Sequence, residues 1–217
     1  MPFAAPLTAP PSLWLAAEPP VMHVSVGNAS AVPVLETPRL RLRAHRPNDL
    51  PQCAAMWADT AVTRFIGGEP CSEQRTWGRL LAYIGHWAAM GFGYWVMEER
   101  GSGDFAGEVG LADFKRDIAP AMKGSPELGF ALASRFHGRG YATEGAEAVV
   151  AWADSHLPFA RTVCLIDPEN VASLRVAGKC GYHVFERGIY DGRPAVFLAR
   201  RALLKSSASA SVDESGM

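Results

Sequence analysis

The sequence lacks four things, and each lack closes a class of function. No Lys or Arg precedes Arg39, no cysteines stand at C-x-x-C spacing, no apolar run is long enough for a bilayer, and the formal net charge is only -1. The near-neutral balance argues against nucleic acid or an anionic membrane as the main partner. A bilayer span would need about 20 apolar residues. The four cysteines, Cys53, Cys71, Cys164 and Cys180, are scattered with no histidines at ligand spacing, so no zinc site is legible. They read as buried free thiols of a reducing cytoplasm. With no basic start, and with Pro10, Pro11, Pro19 and Pro20 breaking it up, the first stretch is not a secretory signal. Residues 1–35 read instead as a flexible leader, with a true start at Met22 as the alternative. Residues 205–217, rich in Ser and Ala, read as a disordered tail. The remainder, 36–204, has the size of one domain.

Within that domain the apolar pattern predicts an α/β chain. Leu40–Arg43 alternates as a strand with one solvated face does. Pro47-Asn48-Asp49 introduces a short helix, Leu50 to Trp57. Ser72 caps a longer one, Glu73 to Met90, whose Trp77, Leu80, Leu81, Ile84, Trp87 and Ala88 share a face, and Gly91 ends it. Strands follow at Tyr94–Glu98 and Phe105–Phe114, around hairpin chemistry at Gly101-Ser102-Gly103-Asp104. After a loop from Asp117 to Ser125 come a strand, Glu127–Leu132, a helix, Tyr141–Leu157, and a short buried strand, Val163–Ile166. A helix from Asn170 to Lys179 and two strands, Tyr182–Arg187 and Ala195–Arg200, close the domain. Such an order predicts a central mixed sheet covered by helices.

One segment carries more than architecture. His137-Gly138-Arg139-Gly140-Tyr141-Ala142-Thr143-Glu144 joins a predicted strand to a predicted helix. Its two glycines let the backbone turn tightly and approach another molecule without Cβ interference. The helix aims its free N–H groups and positive dipole end at that turn. Strand, glycine turn and helix start together form an anion site, most simply one for phosphates. A dinucleotide fold would need Gly-x-Gly-x-x-Gly after an early strand, and Gly138, Gly140 and Gly145 miss that spacing.

The order of elements, with the glycine turn after the fourth predicted strand, resembles the GNAT acetyltransferase superfamily. His137, Gly140 and Ala142 fall on the fixed positions of that family's Gln/Arg-x-x-Gly-x-Gly/Ala signature. The whole segment from His137 to Glu144, with Asn170-Val171-Ala172-Ser173 and the opening Glu36-Thr37-Pro38-Arg39-Leu40-Arg41-Leu42-Arg43, is similar to the ribosomal-protein N-terminal acetyltransferase subgroup. The resemblance implies a mostly antiparallel sheet that splays between the fourth and fifth predicted strands. It implies acetyl-CoA as cosubstrate, with its pyrophosphate on the backbone N–H groups of His137 to Ala142. Arg139 is expected to add charge, Thr143 to complete the helix start, and Arg135 to be a weaker candidate. The pantetheine arm would pair with Phe130, Ala131 and Leu132 as an added strand does.

The implied chemistry moves an acyl group from sulfur to a neutral amine. Deprotonating a lysine amine near pH 7 costs about 4 kcal/mol and a peptide α-amine about 1, so an α-amine asks less of a base. The resemblance suggests Glu127 as that base, with Glu108 in reserve. Many GNAT enzymes protonate the leaving sulfur with a tyrosine where this chain has Ala177. Ser173, as in the ribosomal-protein subgroup, is expected to take that role, and Asn170 to contact the cofactor arm while capping its helix. Tyr182 and Tyr190 are alternative donors. A backbone N–H near Phe130 to Ala131 would hold the oxyanion. Phe65, Trp77, Trp87, Phe92 and Trp95 read first as core, with one or two free to line an acceptor groove. Asp113 and Asp117 read as solvated loop charges. No cysteine suits an acyl intermediate. The expectation is an N-acetyltransferase acting directly on a protein N-terminus or a small-molecule amine, as a monomer or homodimer. A non-catalytic coenzyme A sensor is the alternative.

Overall fold

The computed structural model describes residues 32–118, 122 and 124–203. The tail expected at 205–217, the alternative start at Met22 and all but the end of the expected leader lie outside the described residues. The end of that leader belongs to the fold. Pro33 accepts a hydrogen bond from the Trp95 indole at 2.8 Å, and Val32 and Leu35 pack on the core.

Eight strands form one sheet in the order β1-β2-β3-β4-β5-β6-β8-β7. They are β1 (Leu35–Glu36), β2 (Leu40–Arg43), β3 (Tyr94–Glu99), β4 (Phe105–Ala112), β5 (Glu127–Leu132), β6 (Arg161–Ile166), β7 (His183–Tyr190) and β8 (Arg193–Arg201). The helices are α1 (Leu50–Ala58), α2 (Thr60–Thr63), α3 (Glu73–Met90), α4 (Tyr141–His156) and α5 (Val171–Lys179). The expected mixed, mostly antiparallel sheet is present: β5 and β6 are its parallel pair, and every other pairing is antiparallel. Because β1 precedes the first predicted strand, the expected splay falls between β5 and β6.

The caps of α3 follow from its sequence. The Ser72 hydroxyl accepts from the Arg75 N–H at 3.3 Å, and Gly91 ends the helix at φ 72°. Strand β4 is buried along its whole length because helices cover both of its faces. On one face, Gly145 of α4 sits against Met97, Val109 and Leu40. On the other, α1 lays Cys53 and Trp57 over Glu108. Trp87, Trp95 and Trp152 meet edge to face and join α3, β3 and α4.

Several boundaries differ from expectation, among them the starts of β6 at Arg161 and of β8 at Arg193, and three of the differences have a local reason. Strand β4 stops at Ala112, short of Phe114, because the Asp113 N–H is taken by His86 Nε2 at 3.0 Å and Lys115 turns at φ 50°. Strand β7 begins after Tyr182, whose ring is buried and whose hydroxyl bonds Thr162 at 2.6 Å. Strand β7 also runs on to Tyr190, where Asp191 and Gly192 turn at φ 50° and 73° into β8.

Candidate functional site

The glycine segment folds as its residues require. Gly138 and Gly140 sit at φ 72° and 81°, backbone that a side chain would strain. Gly140 leads directly into α4 with no side-chain cap on that helix, so the first N–H groups of α4, at Tyr141, Ala142 and Thr143, face outward from the turn. The His137 Nε2 lies 2.9 Å from the Leu132 carbonyl, so its N–H ties the turn back to the end of β5. Arg139 bonds Glu99 at 2.9 Å and the Tyr141 hydroxyl at 3.1 Å, and Tyr141 in turn bonds Glu99. Arg135 bonds the Phe105 carbonyl. Sequence reasoning missed Arg39, which lies over the Tyr141 ring and bonds the Arg139 carbonyl at 2.8 Å. Glu144 holds it at 2.6 Å.

Strands β5 and β6 meet at one register pair, Glu127 with Val163, and then part. Beyond that pair Gly129 and Phe130 become half-buried in an otherwise buried strand. The backbone from Gly129 to Leu132 thus borders a gap that opens toward the glycine turn, and Ala131 and Leu132 continue that border. A strand rises about 3.3 Å per residue, so Gly129 lies roughly 10 Å before Leu132. Across the gap, Asn170 caps α5 by accepting the Ser173 N–H at 3.1 Å. The Ser173 hydroxyl has no hydrogen bond among the described residues.

Glu127 lies beside the root of the splay, on the sheet face that α1 covers. Its carboxylate is gripped on both oxygens by Arg116, at 2.7 and 2.9 Å. Arg116 also bonds the Tyr190 hydroxyl at 2.5 Å and lies over the rings of Phe114 and Tyr190. Burial opposes the charge of Arg116, but Glu127 more than restores it and holds the group above its ordinary value. Glu108, the reserve base, is 1% exposed. It accepts from Trp57 Nε1 at 2.9 Å and from Cys53 Sγ at 3.3 Å, and lies 3.2 Å from His45 Nε2. It forms a saturated floor beneath α1.

Above that floor stands a stack the sequence did not reveal. The rings of Tyr83 and Tyr94 lie parallel at 4.3 Å, with His45 tilted against Tyr83 and Phe114 against Tyr94. Arg79 reaches Tyr83 at 3.4 Å and lies over the Trp57 ring. The signal for this stack is Gly110 and Gly129, glycines inside strands, which mark a close approach. A Cβ at Gly129 would collide with the Tyr94 hydroxyl, and one at Gly110 would collide with the Tyr94 backbone.

Trp87, Phe92 and Trp95 are core, while Trp77 is 36% exposed and Phe65 half-buried. Ala177 is fully buried. Asp113 pairs with Lys115, and Asp117 is exposed. All four cysteines are free and buried, and burial pushes the thiols of Cys53, Cys164 and Cys180 up, away from the reactive thiolate. Among the described residues no group of side chains is placed to hold a metal, and no helix is long and apolar enough to cross a membrane.

Comparison with known proteins follows the same lines. A family model for the acetyltransferase (GNAT) domain matches residues 39–183. The chain is 36% identical over 93 residues to the uncharacterized protein YkkB of Bacillus subtilis, a match covering 43% of this chain and spanning about half (52%) of that relative. A solved structure from Bordetella pertussis, described as a GNAT-family acetyltransferase, is similar with a TM-score of 0.70 and 31% identity over 78% of this chain and 99% of that one. A ribosomal L7/L12 alpha-N-protein acetyltransferase solved with coenzyme A shares the fold, with a TM-score of 0.64 and 17% identity over 78% of this chain and 98% of that one.

Proposed function

From the premise that this chain belongs to the GNAT acetyltransferase family, we propose that it transfers an acetyl group from acetyl-CoA directly to a primary α-amine. The observation that carries this is the splay: a single β5–β6 pair, a half-buried strand edge beyond it, and a positive-φ glycine turn at its far end. That geometry suits a ligand with phosphates at one end and a long amide-bearing arm. The His137 N–H, expected to join the phosphate site, is instead bonded to the Ser134 carbonyl at 3.0 Å, so the N–H groups from Gly138 to Thr143 would take the pyrophosphate, and the edge from Phe130 to Leu132 the pantetheine amides. Acetyl-CoA supplies the activated acyl group, and the protein supplies position and proton handling.

The carboxylates decide between acceptors. Among the described residues Glu127 is clamped by Arg116, Glu108 is saturated, and Asp113 is paired with Lys115. Arg116 already engages both oxygens of the Glu127 carboxylate, so neither is free to meet the acceptor amine directly. In this proposal Glu127 relays the amine proton through water, and the acceptor must arrive nearly neutral. A peptide α-amine meets that condition at about 1 kcal/mol, while a lysine or polyamine nitrogen needs about 4. In this proposal Ser173, whose hydroxyl has no hydrogen bond among the described residues, would hydrogen-bond the departing sulfur. The ribosomal-protein acetyltransferase with the same fold makes a protein N-terminus the acceptor to test first. The α-amine of a small molecule is the other.

The test is thiol release from acetyl-CoA against peptides of varied N-terminus, α-blocked lysine peptides, polyamines and aminoglycosides, with thermal shift by coenzyme A beside it. Turnover confined to free α-amines is the expected result. Turnover on α-blocked lysine peptides would overturn the acceptor assignment. A thermal shift with no turnover on any acceptor would favour the coenzyme A sensor, and no shift would remove the cofactor assignment.

A further inference from the structure

Tyr94 occupies a place that the reaction described above does not use. It pairs with Gly110 of β4, which pairs with Gly129 of β5, so one row crosses three strands and the next two positions along it from Tyr94 are glycines. The missing side chains let the Tyr94 ring lie across the sheet. Its hydroxyl comes to rest over Gly129, where a Cβ would collide with it. Gly129 is half-buried and lies two residues past the last β5–β6 pair, on the open edge of the splay. The ring is fixed from behind by Tyr83, parallel at 4.3 Å, and from the side by Phe114. The hydroxyl has no hydrogen-bond partner among the described residues. Among the described residues the one fully buried polar side-chain atom without a partner is His45 Nδ1, so the Tyr94 hydroxyl keeps some access to solvent. Here a rigidly held O–H points at the edge where the acyl group would lie.

We propose that Tyr94 is a catalytic residue, donating a hydrogen bond to the acyl oxygen beside a backbone N–H of β5. The proposal rests on acetyl-CoA occupying the splay. During transfer the amine nitrogen bonds to the acetyl carbon, and the carbon–sulfur bond breaks with its electron pair going to sulfur. The proton released by the amine ends on the thiol. Negative charge passes through the acyl oxygen, and a fixed O–H donor stabilises it there. Tyr94 keeps its proton throughout. Burial pushes its phenol well above the usual 10, with the charges of Tyr83 and Glu127 adding to the rise and those of Arg79 and Arg116 opposing it. A thiol titrates near 8.5, so proton transfer from this phenol to a thiolate runs uphill, whereas hydrogen bonding to the oxygen does not require it.

The experiment uses the full chain and acetyl-CoA labelled with carbon-13 at the carbonyl. Infrared difference spectra of the bound thioester are compared for wild type, Tyr94→Phe and Gly129→Ala. Tyr94→Phe keeps the stacked ring and removes the donor; Gly129→Ala keeps the donor and displaces it. In both variants the bound carbonyl band is expected to move back toward its free position, with coenzyme A affinity unchanged in Tyr94→Phe. On any acceptor the panel identifies, Tyr94→Phe should lower kcat about 100-fold, the usual loss of one oxyanion donor. A Tyr94→Phe band at the wild-type position would overturn the role of Tyr94 while leaving the cofactor assignment standing. Failure of wild type to bind acetyl-CoA would overturn that assignment, and this proposal with it.

Discussion

The two ends of the splay are built from different materials. At the glycine turn the candidate binding groups are backbone: positive-φ glycines, N–H groups at the start of α4, and a strand edge. The side chains there mainly engage one another, Arg39 with Glu144 and Arg139 with Glu99. At the helix-covered end the backbone recedes at Gly110 and Gly129. Long side chains from α3, β3, the loop after β4, β5 and β7 do the work. A ligand common to a whole family can be held by groups every sequence carries. An acceptor that varies between members needs side chains, and these must converge from distant parts of the chain.

The sharpest way to break this comparison is to remove the floor of the side-chain end. Glu108→Ala strands the Trp57 indole N–H and the His45 ring beneath α1 and leaves a cavity. A loss of about 3 kcal/mol is expected, read by urea melts. Coenzyme A binding should persist below the new melting temperature, because the turn end does not touch Glu108. A loss under about 1 kcal/mol would mean the floor is dispensable. The matching change at the backbone end is Gly140→Val. A left-handed residue with a branched side chain costs about 1–2 kcal/mol, and its Cβ would face an Arg39 nitrogen 3.4 Å away. Calorimetry should show coenzyme A affinity lowered about 30-fold; retained affinity would place the phosphates elsewhere.

The same contrast explains what the sequence could and could not disclose. The caps of α3 at Ser72 and Gly91, the extent of β5 and the start of α4 are local, and local chemistry specified them. The glycine turn was legible for the same reason. The Tyr83–Tyr94 stack and the Arg116–Glu127–Tyr190 cluster were not, because sequence separation hides contacts that only the sheet order creates. The sequence pattern carries the strand from Phe105 on to Phe114. The chain leaves the sheet at Ala112 and thereby delivers Arg116 to Glu127. Gly110 and Gly129 were the available clue, since a glycine within a buried strand asks what occupies the missing side chain's space.

A smaller effect separates two roles for Glu127. Glu127→Gln leaves the Arg116 guanidinium without its counter-charge, at a cost of about 1–2 kcal/mol for a pair that is 23% and 11% exposed. If Glu127 relays a proton from an α-amine already near neutrality, kcat should fall only about 10-fold. A fall beyond about 1000-fold would make it an obligatory base and reopen lysine as acceptor.

The smallest effect tests whether side chains matter at all at the backbone end. Burial raises the Glu144 carboxyl, but hydrogen bonds from Thr37 and Arg39 outweigh it and hold the group below its ordinary 4.5. A depressed folded value means the stabilisation is full above pH 4.5 and is lost as pH falls through the folded value. Arg39 is 47% exposed, so solvent screening holds the contribution to about 0.5 kcal/mol. Glu144→Gln should therefore melt slightly earlier than wild type in urea at pH 7, and the difference should vanish in acid. A difference constant with pH would assign it to lost packing. The substitution also takes a negative charge out of the first turn of α4 and releases Arg39 toward the glycine turn. Coenzyme A affinity should then rise about 2-fold at low salt, as expected when a charge of the ligand's own sign leaves a helix N-terminus. A weakened affinity would mean that Arg39 binds phosphate only when Glu144 holds it in place, making this end less purely a backbone device.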